Sequence, residues 1–104
     1  MTKFVLAYQG GSMAETEAEQ QTVMTEWMNW FGSLGESIID AGNPFGPSST
    51  VGPDGTVSDG GSSALTGYSI IDAASLSEAC DKAKGCPVLS SGGTIGVYEA
   101  MPIG

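Results

Sequence analysis

Residues 67–85, GYSIIDAASLSEACDKAKG, decide the fold because they hold a strand, a capped helix and its stop in one run. The first seven residues have the aromatic and β-branched content of a strand. Ser75 and Glu78 then form the capping-box pattern that begins a helix. Apolar residues recur at helical spacing after this cap, and Gly85 is a natural stop. The run therefore predicts a strand followed by a short amphipathic helix.

The N-terminal part of the chain also predicts a strand followed by a helix, and this helix is longer. Residues 3–9, KFVLAYQ, are apolar at successive positions, which is typical of a strand covered on both sides. Capping boxes begin at Ser12 and at Thr16, so we expect a helix to start at one of them and to end at Gly35. Its apolar stripe consists of Val23, Met24, Trp27, Met28, Trp30, Phe31 and Leu34.

The remaining segments complete an alternating order of strands and helices. We predict a strand over 36–45, around Ile38 and Ile39 and broken by Gly42 and Pro44, and another strand over 94–101. The stretch 42–66 contains six glycines, three prolines and five serines. A structureless loop of this length is unusual in a compact domain, so we predict a hairpin with 49–51 facing 56–57. The order is that of an α+β, ferredoxin-like βαββαβ fold with an antiparallel four-stranded sheet and both helices on one face. We expect a single domain over 1–104 with the hairpin as an insertion.

Composition excludes several classes of function. Twelve acidic residues against three basic ones give a net charge of −9, so we expect neither nucleic-acid binding nor attachment to anionic membranes. Histidine is absent from the sequence, and no cluster has metal-ligand spacing, so we expect no metal and no cofactor. The first apolar run is too short for a signal peptide, which indicates a cytoplasmic protein. Cys80 and Cys86 are six residues apart and are interpreted as a helical thiol and a turn thiol, with a disulfide as the less favoured alternative.

The strand pattern also predicts a homodimer. Two short helices cover only one face of a four-stranded sheet, yet the predicted strands are apolar on both faces. An uncovered face of this kind would be a larger apolar patch than monomers usually expose. We therefore expect a second copy to cover it as an isologous pair.

Candidate site residues are the aromatic and polar groups near the predicted strand ends. Asp59 is the best candidate for a catalytic group because it lies in a loop, although it also fits a simple turn. The helical stripe is either plain core or the floor of an aromatic ligand pocket. The predicted pocket residues are Tyr8, Gln9, Trp27, Asn43, Ser49, Tyr68 and Tyr98.

The order and spacing of several stretches resemble the YCII-related family, in particular its DGPF subgroup. The similar stretches are 43–47 (NPFGP), 59–60 (DG), 66–71 (TGYSII), 75–79 (SLSEA), 83–87 (AKGCP) and 92–99 (GGTIGVYE). The opening strand and the tryptophan-bearing helix also fit, so the resemblance covers nearly the whole chain. It implies a dimeric α+β barrel of ferredoxin-like subunits. The family's Asp-Gly-Pro-Phe motif reads here as Asp59-Gly60-Gly61-Ser62, and a mechanism that depends on histidine cannot operate.

Two functions follow as expectations from these observations together. The first is a protein that binds a small, aromatic metabolite in a pocket between sheet and helices, with isomerase- or lyase-like chemistry as the catalytic version. The alternative is a non-catalytic dimeric sensor or accessory module. Whether the protein is an enzyme is left open by the sequence.

Overall fold

The computed structural model describes residues 2–10, 15–59 and 65–103. It confirms an α+β fold with two helices, a four-stranded antiparallel sheet and a separate two-stranded sheet. The elements in chain order are β1 Thr2–Gln9, α1 Glu17–Leu34, β2 Ile38–Asp40, β3 Ser49–Val51, β4 Val57–Asp59, β5 Leu65–Ala73, α2 Leu76–Ala83 and β6 Thr94–Glu99.

Both helices begin at side-chain caps that the sequence predicts. The Thr16 hydroxyl accepts a hydrogen bond from the backbone N–H of Glu19 at 3.1 Å, so the second of the two candidate capping boxes starts α1. Ser75 caps α2 in the same way through the N–H of Glu78. α1 ends at Gly35, whose positive φ of 55° suits a residue without a side chain.

The large sheet has the strand order β2-β5-β1-β6, with β1 between its two longest partners. β2 contains the predicted centre, Ile38 and Ile39, and ends at Asp40, before the break predicted at Gly42, so it is shorter than the predicted range 36–45. The chain then leaves the sheet at Gly42 and returns to β5 through an isolated bridge between Pro44 and Gly67. A register shift between Ile38 and Asp40 accompanies this departure.

The inserted hairpin is confirmed, with its second strand one residue later than predicted. β3 and β4 pair with Val51 opposite Val57, and a turn around Asp54 joins them. The Asp54 carboxylate accepts a hydrogen bond from the N–H of Thr56 at 2.9 Å, which is a typical turn contact. Both valines are about two-thirds exposed, so the hairpin has no buried face of its own within the described residues.

One face of the large sheet carries the core. Phe4, Leu6 and Ile71 are fully buried there, together with alanines from α2. Trp30 joins α1 to the same core, and its indole N–H donates to the backbone oxygen of Lys82 at 3.0 Å. Both helices therefore pack on one face, as the sequence predicts.

The opposite face of the sheet is open. Val5 pairs with Ile70 on one side and Tyr98 on the other, and this row faces away from the helices. Tyr98 is 62% exposed, while Val5 and Ile70 are half-buried.

No helix of the described residues is long and apolar enough to cross a membrane.

Replacement of Gly42 by alanine should destabilise the fold. Gly42 has a φ of +80°, and a Cβ there would overlap the carbonyl oxygen of Tyr68. We expect Gly42→Ala to lower the free energy of unfolding by at least about 1–3 kcal/mol, as measured by urea denaturation. Gly46→Ala is the matched control, because a Cβ at Gly46 meets no atom within 4 Å. Equal stability of the two variants would contradict the close approach of Gly42 to β5.

Candidate functional site

A cleft of about 710 Å³ lies on the helix-covered face, between the N-terminal part of α1 and the end of the sheet where β1 finishes. Its lining is mostly apolar, and its volume is in the range of small-molecule sites. The lining residues are Tyr8, Gln20, Val23, Met24, Trp27, Phe31, Ala41, Gly42, Asn43, Pro44, Thr66, Gly67, Tyr68 and Val88.

Trp27 is at the centre of a cluster of aromatic rings on one side of the cleft. The Tyr8 ring meets it edge to face, with centroids 5.2 Å apart and planes at 79°. Phe31 is 5.7 Å away at a tilt of 43°, and Trp30 is at the same distance on the core side. These are favourable ring geometries, so the cluster holds Trp27 in place although the residue is only half-buried.

Two hydroxyl groups form a relay at the base of the cleft. The Tyr8 hydroxyl donates to the Ser69 hydroxyl at 2.7 Å, and Ser69 donates in turn to the carbonyl oxygen of Ala41 at 2.6 Å. Ser69 is only 1% exposed, so its hydroxyl forms hydrogen bonds with these two protein groups and not with solvent. The relay thereby ties β1 and β5 to the segment that follows β2.

The segment 41–45 forms the wall opposite α1, and backbone contacts to β5 hold it. The N–H of Tyr68 donates to the Asn43 oxygen at 3.3 Å, and the N–H of Phe45 donates to the Thr66 oxygen at 2.9 Å. Gly67 lies between these bonds, where a Cβ would come within 3.1 Å of the Asn43 oxygen. A side chain at residue 67 would therefore crowd the close approach of the wall to β5.

The titratable groups nearest to the relay are held in their neutral forms. Burial raises the pKa of the Tyr8 hydroxyl far above its usual value, so Tyr8 is a proton donor and not a base. Burial likewise raises the pKa of the Cys86 thiol to about 11, and Tyr8 is a hydrogen-bonding neighbour of that thiol. Cys80 and Cys86 are both free thiols, as the favoured interpretation of the sequence has it.

Four of the residues predicted for a pocket line this cleft: Tyr8, Trp27, Asn43 and Tyr68. The register places Tyr68 opposite Ala7 and Tyr98 opposite Val5, so both tyrosines lie one position out of phase with Tyr8.

The other predicted residues lie elsewhere. Ser49 and Asp59 face each other across the hairpin and are exposed, and Gln9 pairs with Thr94 at the end of β1. The exposed Tyr98 is on the open face of the sheet.

Sequence reasoning missed Ser69 and Ala41, the two residues that complete the relay. A signal for Ser69 was present, because it is in phase with Ile71 and Ala73 on the buried side of a strand. A polar residue at such a position needs a partner when it is buried. Ala41 gave no signal, because it contributes only its backbone oxygen.

The cleft is suited to binding more than to proton transfer. Among its described lining residues the titratable side chains are tyrosines, and no carboxylate is present. Within the described part of the chain no group of three or more acidic or cysteine side chains could hold a metal ion. Asp40 approaches the rim only through a 3.4 Å hydrogen bond from the Tyr68 hydroxyl.

Comparisons of the chain with protein-family models, with curated proteins and with solved structures find no match. The geometry of the cleft and the strand order therefore carry the functional argument.

Removal of the Tyr8 hydroxyl should destabilise the protein without removing the ring. Tyr8→Phe leaves Ser69 with one partner fewer, so we expect the free energy of unfolding to fall by about 1–2 kcal/mol. Ser58→Ala is the control, because that hydroxyl is exposed on the hairpin and its loss should change stability by less than about 0.5 kcal/mol. Chemical denaturation at pH 7 measures both. An unchanged midpoint for Tyr8→Phe would be inconsistent with the relay.

The Cys86 thiol should make the protein less stable in alkali. Its pKa is about 11 when folded, above the value of about 8.5 for a free thiol. As the pH rises, the unfolded chain therefore loses the thiol proton before the folded protein does. The stabilisation that the buried neutral thiol gives the folded state is complete below about pH 8.5 and declines as the pH rises toward 11. We expect denaturation midpoints to fall over this range for the wild type and to fall less steeply for Cys86→Ala. Parallel curves for the two proteins would refute this assignment.

Proposed function

We propose that this chain is a binding protein for a small molecule with an apolar, ring-sized body. The single observation that carries the proposal is the 710 Å³ cleft with the half-buried Trp27 in its aromatic wall. Val23 and Met24 of the same helix are 40% and 65% exposed at the cleft. A ligand would cover apolar surface that the described residues leave open to water, and this burial favours binding.

A non-catalytic role, as a sensor or accessory module, has more support than isomerase or lyase chemistry. Such chemistry needs a base near the reacting carbon, and the described lining offers only tyrosines as titratable groups. The Tyr8 hydroxyl already donates its hydrogen bond to Ser69 inside the protein. Asp59, the candidate from the sequence, lies on the exposed hairpin.

The YCII-related family and its ferredoxin-like fold are part of the same proposal. The strand order β2-β5-β1-β6 supports it, because a βαββαβ chain of this fold places its first and third strands at the centre of the sheet. β1 and β5 have that central position here, once the hairpin is set aside as an insertion.

A homodimer with the two open faces in contact completes the proposal. On this face Val5 and Ile70 are half-buried and Tyr98 is 62% exposed, although neither helix covers them. A second copy would remove these apolar groups from water, which favours association. The row of Ile70, Val5 and Tyr98 supplies an apolar centre for the contact.

A larger side chain in the cleft should weaken the binding of a small aromatic molecule. The probe is 3-tert-butylphenol, a neutral aromatic of eleven non-hydrogen atoms, for which we expect a Kd in the range of about 0.1–5 mM by calorimetry. Val23→Trp places a large side chain at the lining and should weaken binding at least about tenfold. Met28→Trp is the matched control, since Met28 is 67% exposed on the same helix and lies outside the lining. Absence of binding to the wild type, or equal binding to both variants, would refute the cleft as the site.

A charge on the open face should dissociate the dimer. We expect light scattering at micromolar concentration to give about twice the chain mass of 10.5 kDa for the wild type. Ile70→Glu should give a monomer, because two buried carboxylates would meet across the contact. Met28→Glu, on α1, should remain dimeric. A monomeric wild type would show that the open face is not an interface.

A further inference from the structure

We infer that the cleft selects an organic cation, namely an ammonium group attached to an apolar body of about the size of a substituted benzene. The inference rests on the proposed binding function and adds the charge of the ligand to it. Two independent observations carry it: the aromatic wall and the distribution of charged side chains.

The aromatic wall provides the chemistry that recognises such a cation. Trp27 is half-buried in the lining, and the centroids of Tyr8 and Phe31 lie within 6 Å of its own. The face of an aromatic ring is the negative part of its quadrupole, and tryptophan attracts cations most strongly. A quaternary nitrogen carries apolar substituents and is less strongly hydrated than a primary ammonium group, so its desolvation in an apolar cleft costs less.

The cationic side chains of the protein are all placed away from the cleft. Lys82 and Lys84 pair with acidic neighbours on α2, at 3.1 and 2.9 Å. Lys3 is at the opposite end of β1 from Tyr8, about 16 Å away along an extended strand. These three are the only basic side chains in the sequence, so none of them repels a cation from the cleft.

The elements that form the cleft carry acidic side chains instead. α1, which forms one wall, carries Glu17, Glu19 and Glu26 and no basic residue. Asp40 precedes the lining residue Ala41 and accepts a hydrogen bond from Tyr68. With a net charge of −9, the field of the protein attracts cations and opposes anions. The lining itself is uncharged among the described residues, so a bound cation would meet aromatic and apolar side chains and not a carboxylate.

The test uses two probes of the same shape that differ in charge: (3-hydroxyphenyl)trimethylammonium and 3-tert-butylphenol. Calorimetry at pH 7 in 0.5 M NaCl screens long-range attraction by the acidic surface. We expect the cation to bind the wild type about 3- to 30-fold more tightly than the neutral probe. Trp27→Leu should bring this ratio close to one, and Trp27→Phe should lower it without abolishing it. Met28→Leu changes an exposed residue of the same helix that lies outside the lining, and it should leave the ratio unchanged.

The other possible results separate a failure of the cation inference from a failure of the proposed binding function. Equal or tighter binding of the neutral probe to the wild type would overturn the cation inference and leave the proposed binding function intact. Binding of neither probe would refute the proposed function as well. A ratio that Trp27→Leu does not change would overturn the inference by assigning the selectivity to the overall charge. If Trp27→Leu does not fold, Trp27→Phe takes its place. A ratio of probe affinities in Trp27→Phe equal to that of the wild type would then overturn the inference.

Discussion

The relay from Tyr8 through Ser69 to the Ala41 carbonyl is the interaction on which the rest of the site depends. Each hydroxyl is buried or nearly so, and each must find a partner inside the protein because water is excluded. The arrangement that satisfies both hydroxyls also draws the segment after β2 against β5. A packing requirement in the core thereby fixes the position of one wall of the cleft.

The opposite wall has a different origin, in the length and side chains of α1. Its 18 residues extend beyond the short patch around Trp30, which is the one buried residue of this helix. The preceding turns present Val23, Met24 and Trp27 above the end of the sheet without a covering element among the described residues. The helix is thus anchored by its C-terminal half, and the cleft lies beneath the rest. An apolar wall on a helix rich in glutamate combines a water-excluding surface with a negative field.

Local signals made much of the fold predictable. Side-chain caps at Thr16 and Ser75, together with Gly35, set the helix limits, because each acts on its immediate neighbours. The site was less predictable, because its geometry depends on strand register and on backbone contacts. Tyr68 and Tyr98 have the same phase in the sheet, yet Tyr68 lines the cleft and Tyr98 is exposed on the open face, so the strand pattern alone does not separate them. Gly42 marks the break after β2 in the sequence, but its contact with the backbone of Tyr68 involves a residue far away along the chain.

Amide hydrogen exchange in the wild type and in Ser69→Ala tests the central role of the relay most directly. The N–H groups of Phe45 and Tyr68 bond across the wall of the cleft, to Thr66 and Asn43. If the relay holds this wall, Ser69→Ala should accelerate exchange at both amides about tenfold or more, while amides between β1 and β6 keep their protection. Unchanged protection at Phe45 and Tyr68 in a folded Ser69→Ala protein would contradict the account.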